Sequence, residues 1–227
     1  MTVPVLLVAP SATAGGSQKA LFGLIRHLPA LGYEPTVAVF EAGPLEGWLD
    51  GIGCPSERVP FGRLRNPIAV ARTVLALRRL GRRVGARLIV DNMSIAHIYG
   101  GVAARLLRIP SIWWQQIIPN RDFGGPKMTR PVLDRAAALV PAAAIVVHSD
   151  AAITAQRELT PRRHVVKVHQ GIDLGEVRAF AGQGRELRAG LGWDDRTIIG
   201  IVGWLLGWKG QDVFLRAAAR VARSHPD

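Results

Sequence analysis

The chain has 227 residues, 48% of them hydrophobic, enough for one large domain or for one complete domain and part of a second. Its net charge of +12 comes from 25 arginines and four lysines against 17 acidic residues, a balance that suits nucleic acid, an anionic lipid surface or a phosphorylated ligand. A single cysteine, Cys54, excludes an internal disulfide and a cysteine-built metal site, no run of 18 apolar residues is available to cross a bilayer, and the N-terminus has neither the basic start nor the cleavage site of a secretory signal, so a cytoplasmic protein is expected.

In chain order, short β-branched runs alternate with helical patterns, which implies parallel strands joined by crossover helices. Val3–Ala9 reads as the first strand, followed by a Ser/Gly turn and a helix over residues 18–31. Thr36–Phe40 is the second strand and Glu57–Val59 a short third; Pro67 suits the first turn of a long helix that runs to Val84. Arg87–Val90 is a strand ending in Asp91-Asn92, Ile95–Leu107 a helix, and Ile112–Trp114 a strand after the break at Pro110. Gly124, Gly125 and Pro126 make residues 120–126 a loop. A helix over 127–140, strand Ala144–Val147, helix Asp150–Leu159 and strand Val165–Val168 complete a first domain, expected over residues 1–170. Residues 171–192 read as a linker with one or two short helices. Residues 193–227 read as the opening of a second domain, with a buried strand from Ile198, a glycine turn carrying Lys209, and a helix. The expected fold is α/β: a doubly wound, Rossmann-like parallel sheet plus the first strand and helix of another, cut short.

Three turns could carry chemistry. Pro10-Ser-Ala-Thr-Ala-Gly15-Gly16-Ser17-Gln18-Lys19 follows the first strand, so two glycines admit a ligand to the backbone at a helix N-terminus, which favours an anion. It is neither a G-x-G-x-x-G nor a Walker A loop, which disfavours a nicotinamide cofactor or a nucleoside triphosphate. The other reading is a tight turn with Ser17 as helix cap. In Val165-Val-Lys-Val-His-Gln-Gly171-Ile-Asp173, Gly171 permits positive φ and Asp173 can cap a helix, or the segment is an ordinary strand exit. The third is Val202-Gly-Trp-Leu-Leu-Gly-Trp-Lys209-Gly-Gln-Asp212.

Together, in this order, the three turns resemble family 4 of the retaining glycosyltransferases, which have the GT-B fold. Leu28-Pro-Ala-Leu-Gly32, Ala103-Ala-Arg-Leu-Leu-Arg-Ile-Pro110 and Ser149 after Ile145-Val-Val-His support the likeness, which covers nearly the whole chain. The resemblance implies transfer of a sugar from a nucleotide-diphosphate sugar to a hydroxyl acceptor with retention, the acceptor, sugar or lipid-linked, on the N-terminal domain and the donor mainly on the C-terminal one. It implies that Gly15 and Gly16 pass close to the donor diphosphate, that Lys209 neutralises it as it leaves, and that no metal or other cofactor is needed. Gln116, Asp91 and Trp114 are the acceptor-side candidates; no catalytic residue is assigned. The chain departs from the family at Trp204, where an arginine is usual, and at Gln115 and Gln116, where a histidine is usual. The family's two glutamates eight positions apart have no match, so the chain as it stands is expected to be inactive. A nucleotide-sugar epimerase of the same fold, or a non-catalytic sugar- or lipid-binding protein, are the alternatives.

Elsewhere, helix 67–84 carries an apolar stripe of Val70, Val74, Leu77 and Val84 opposite Arg72, Arg79 and Arg83, read as a solvated face or as a peripheral contact with anionic membrane. Of Trp113 and Trp114, one is expected in the core and one facing the cleft. Asp91 either orients an acceptor hydroxyl or caps the next helix. The arginines are otherwise dispersed and lack interleaved aromatics, so no nucleic-acid partner is expected. His148, His164 and His169 lack ligand spacing for a metal.

Overall fold

A computed structural model describes residues 2–119 and 129–225. They group into two units, one of residues 2–119 and 129–172, the other of residues 173–225.

The first unit is a seven-stranded sheet in the order β3-β2-β1-β4-β5-β6-β7, every neighbouring pair parallel. The strands are β1 (Val3–Ala9), β2 (Tyr33–Val39), β3 (Ser56–Arg58), β4 (Leu88–Asn92), β5 (Ser111–Trp114), β6 (Ala144–Val147) and β7 (Val165–Lys167). The helices between them are α1 (Gly16–His27), α2 (Pro44–Asp50), α3 (Pro67–Arg83), α4 (Met93–Leu107), α5 (Thr129–Leu139) and α6 (Asp150–Leu159). The doubly wound parallel sheet expected from the alternating pattern is present.

β1 explains why the sheet needs helices on both faces. Its last five residues are all buried, the continuous apolar run of a strand covered on both sides. Leu6 and Val8 pack with Val74, Leu77 and Leu80 of α3 and with Tyr99 and Ala103 of α4. Val5, Leu7 and Ala9 point the other way, into Leu21 and Ile25 of α1 and Leu45 and Leu49 of α2. A third cluster, Trp113, Ile145, Val147, Ala137 and Ala152, closes the β5–β7 side.

Three elements differ from expectation. Residues 18–31 split into α1 and a separate 3-10 turn, Pro29–Leu31, because the backbone turns left-handed at Gly32 (φ 82°) and Pro29 interrupts the helical ladder. α2 falls where no element was read; its Pro44 starts the helix, and Glu46 at its third position accepts a hydrogen bond from the Gly43 N–H at 3.1 Å. β4 runs two residues further, to Asn92, and turns into α4 through Met93 in the left-handed region (φ 76°), a conformation that costs a non-glycine residue about 1 kcal/mol or more. The loop expected at 120–126 and the start of the helix expected at 127 lie outside the described residues.

In the second unit, Asp173 caps α7 (Leu174–Ala179), its Oδ1 accepting from the N–H groups of Gly175 at 2.8 Å and Glu176 at 3.2 Å. α8 (Gln183–Leu191) ends at left-handed Gly192, and a 3-10 turn, Gly207–Lys209, leads through left-handed Gly210 into α9 (Gln211–Ser224). Residues 198–202, expected to open a second sheet, pair with no neighbouring strand among the described residues. A strand needs a partner for its N–H and C=O groups, and here its apolar side chains are exposed. Gly171, read as permitting a positive φ or as part of an ordinary strand exit, is not among the left-handed glycines.

Candidate functional site

The strand order reverses between β1 and β4: the chain leaves β1 towards β2 and β3, then returns to β4 on the other side. Open α/β sheets bind ligands in the crevice at the carboxyl ends of such a pair. The turn holding Gly15 and Gly16 leaves β1 there, Asn92 ends β4 there, and Gln116 follows the neighbouring β5.

The turn after β1 is tied down from within. Ser11 Oγ accepts from the Thr13 N–H at 3.2 Å, the Gly15 N–H donates to the Thr13 carbonyl at 2.9 Å, and Gln18 Nε2 donates to the Ser11 carbonyl at 3.2 Å. α1 begins at Gly16 with Gly15 as its capping residue, with no side-chain cap and no acidic residue in its first turn. Ser17, the cap in the tight-turn reading, sits inside the helix and donates its Oγ–H to Gln18 Oε1 at 2.8 Å. The positive end of α1 therefore meets no carboxylate of its own helix. A side chain added at Gly16 would meet no described atom within 4 Å, whereas one at Gly15 would come 2.7 Å from Gln18 Oε1. Gly16 opens onto space; Gly15 is packed.

Behind this turn lies a buried polar brace. Gln116 Nε2 donates to Asn92 Oδ1 at 2.5 Å and to the Ser17 carbonyl at 3.2 Å, while its Oε1 accepts from Gln170 Nε2 at 3.0 Å. One glutamine thus joins the start of α1 to the ends of β4, β5 and β7. Asn92 is fully buried, and its Nδ2 finds no hydrogen-bond partner among the described residues. Beside it, Gln115 Nε2 donates to Ser94 Oγ at 3.0 Å and Asp134 Oδ1 at 3.3 Å, and the Ser94 hydroxyl donates to the same Asp134 oxygen at 2.5 Å.

Asp91 neither caps α4 nor faces a crevice. It is fully buried, and its Oδ2 lies 2.9 Å from His97 Nδ1. His97 Nε2 lies 3.2 Å from the Val140 carbonyl; a carbonyl only accepts, so this nitrogen carries a proton. The His97 ring stacks on Trp113 at 5.0 Å between centroids. Burial pushes the Asp91 carboxyl above the usual carboxylate range, against the pull of His97. As placed, Asp91 braces β4 against α4 rather than reaching a ligand. Trp113 is buried, as one of the two tryptophans was expected to be, and Trp114 is half-buried against the β1–β2 core. In the second unit Lys209 ends the 3-10 turn, and the Trp204 carbonyl accepts from Gln211 Nε2 at 2.8 Å.

The sequence pointed to Gly16, Gln116 and Asp91 but not to Ser94, Asp134 and Gln170. The available signal was Asp134 inside the apolar pattern of α5, a carboxylate that burial obliges to find a partner. Among the described residues no three His, Cys, Asp or Glu side chains gather to hold a metal, and no helix is long and apolar enough to cross a membrane.

Residues 14–176 match the sequence profile described as Glycosyltransferase Family 4. Among solved structures, HepE of Anabaena in complex with UDP-glucose superposes with a TM-score of 0.77 at 20% identity, covering 96% of this chain and 57% of that one. A glycosyltransferase from Rickettsia africae superposes at 0.69 with 14% identity, covering 98% and 58%. A UDP-N-acetylglucosamine 2-epimerase from Listeria monocytogenes, described as putative, gives a weaker 0.52 at 9% identity, covering 68% and 42%. At these identities the likeness is one of fold, the half of a GT-B architecture, and the chain spans less than two thirds of the length of these structures. No curated protein matches.

Proposed function

Because the chain belongs to glycosyltransferase family 4, we propose that it forms the acceptor-side domain, with the opening of the donor-side domain, of an enzyme that moves a hexose from a nucleotide-diphosphate sugar to a hydroxyl acceptor with retention. The observation that carries this reading is the uncapped N-terminus of α1 at the β1–β4 switch point, with open space beside Gly16. Backbone N–H groups aimed at a vacated oxygen stabilise charge as it develops, the largest requirement in such a transfer. The bond from the sugar's anomeric carbon to the diphosphate breaks, the acceptor hydroxyl oxygen bonds to the same face, and its proton passes to the leaving diphosphate. Gly16 supplies backbone approach and the α1 N-terminus its dipole; a metal is not required. HepE of Anabaena binds UDP-glucose, which supports a UDP-sugar as donor here. Gln116, Asp91 and Trp114 act on the acceptor side by fixing the strand ends rather than by touching the acceptor.

The test is Gly16→Asp in the full-length gene product. An aspartate at the first helical position stabilises α1, by about 0.3–1 kcal/mol, and repels a diphosphate. Binding of UDP is expected to weaken at least tenfold while the melting temperature holds or rises. Unchanged UDP affinity would sink the donor-site assignment. With donor alone, appearance of a free epimer would favour an epimerase; transfer that survives EDTA would support the metal-free reading.

A further inference from the structure

Three amides at the carboxyl edge of the sheet form a relay with a direction. Gln170 Nε2 donates to Gln116 Oε1 at 3.0 Å, and Gln116 Nε2 donates both to Asn92 Oδ1 at 2.5 Å and to the Ser17 carbonyl at 3.2 Å. The Ser17 carbonyl sets the sense of the relay. A backbone carbonyl only accepts, so Gln116 must present its NH2 group to it. The same NH2 group then requires an oxygen from Asn92, and Asn92 must turn its own NH2 group the other way. Asn92 Nδ2 is therefore the last donor of the relay, and it has no partner among the described residues. The residue is fully buried, where polar groups are nearly always paired.

Local structure does not use this donor. Asn92 stands directly before α4, the position from which an asparagine oxygen ordinarily caps a helix. It makes no side-chain cap, because that oxygen accepts from Gln116. Strand alternation gives the direction it faces. Val90 packs in the core beneath α1, and Asn92, two residues on, shares that face with Trp114, its register partner on β5. Asp91, between them, takes the opposite face with His97. Asn92 and the Ser17 carbonyl contact the same Gln116 nitrogen, so the amide lies within a sugar ring's width of the first turn of α1, where Gly16 opens onto space.

We propose that Asn92 Nδ2 donates to a hydroxyl oxygen of the sugar in a nucleotide-diphosphate sugar whose diphosphate lies at the N-terminus of α1. Gln116 and Gln170 are positioning residues that hold the amide in this orientation. The inference rests on the proposed sugar transfer and names a specificity-determining residue for it. A neutral amide suits a hydroxyl better than a phosphate: it offers a directed hydrogen bond without charge, and the positive end of α1 already serves the anion. The hydrogen bond that Gln116 accepts from Gln170 polarises its own NH2 group, and the effect passes on to Asn92. A sugar that lacks the oxygen, or holds it in the other configuration, leaves the donor unpaired, so Asn92 selects as well as binds.

Calorimetry on the full-length gene product tests it with two probes, UDP and UDP-glucose. Asn92→Asp keeps the oxygen that Gln116 needs and loses the donor; Asn92→Ala loses both. In each variant the dissociation constant of UDP-glucose divided by that of UDP is expected to rise about tenfold, the scale of one such hydrogen bond. Gln170→Leu, at an exposed position, is expected to raise the same ratio by less. The side-chain amide of Asn92 gives a reading that needs no variant. In nitrogen-15 NMR spectra of the wild type, its proton signals are expected to move downfield with UDP-glucose and to hold with UDP. If UDP binds but the ratio is unchanged in the Asn92 variants, or if the Asn92 signals respond alike to both probes, the role of Asn92 falls while the donor site stands. If the wild type binds neither probe, the sugar-transfer reading falls and this inference falls with it.

Discussion

Gln116 shows how much one side chain can hold. Its amide satisfies Asn92, the Ser17 carbonyl and Gln170 at once, so Gln116→Ala leaves the buried Asn92 Oδ1 and the half-buried Ser17 carbonyl without this donor and should cost about 1–3 kcal/mol. Gln116→Glu should cost more, because it turns a donor into an acceptor facing the acceptors Asn92 Oδ1 and the Ser17 carbonyl; urea unfolding checks the order. Asp91 makes a pH-dependent prediction. Burial raises its carboxyl pKa in the folded state, so the native protein holds this proton over a pH range where the unfolded chain has released it. Its contribution to stability is complete below about pH 4 and is lost as pH rises through the folded value. The unfolding free energy of the wild type minus that of Asp91→Asn should therefore fall as pH rises from about 4, and a flat difference would contradict it. The sequence marked Gln116 and Asp91 as strand-end residues with polar side chains; it could not show that both turn inward. Which face a strand-end residue takes depends on where β4 stops, and the left-handed turn at Met93 lengthens that strand in a way no propensity encodes.

At the level of elements, the sheet was readable because its central strands are continuous apolar runs and its long helices carry a 3.6-residue stripe. α2 was not, since seven residues interrupted by Gly47 offer too little periodicity to register. Its place depends on a contact distant in sequence: the Leu45 N–H donates to the Ala12 carbonyl at 3.0 Å, and a side chain at Gly43 would sit 2.4 Å from that same oxygen. Gly43 is extended (φ 169°), so its role is closeness rather than backbone freedom. Gly43→Ala should push α2 away from the β1–α1 turn, lowering stability by about 2 kcal/mol. Faster hydrogen exchange at Gly15–Lys19 in that variant would show the turn loosening; unchanged exchange would count against the coupling. The strand expected from Ile198 rested on composition, with Ile198, Ile199, Ile201 and Val202 close together, and these residues pair with no strand among the described residues. Composition specifies that a segment wants neighbours on both sides, not that they are present.

For the molecule as a whole, the two units are unequal in kind. The first buries three apolar clusters. The second has no buried hydrophobic residue among those described, and Ile199, Val202 and Leu205 are largely bare. Contiguous exposed apolar surface promotes association, so the chain should self-associate with rising concentration. Brief proteolysis should cut first within residues 173–225 and leave a fragment of the first unit that melts cooperatively; early cutting inside β1, β4 or β5 would contradict that division.

The strand order also dictates a schedule for a chain emerging from the ribosome. β2 and β3 can join β1 as soon as residue 58 is available, but the other edge of β1 pairs only with Leu88–Asp91. At about 5–20 residues per second, the Val5–Val8 edge waits on the order of seconds for the strand that covers it. During that interval the most apolar strand of the protein is an open template for any passing chain. Its synthesis therefore depends on prompt translation between residues 59 and 91, or on a chaperone that shields a three-stranded intermediate until β4 arrives.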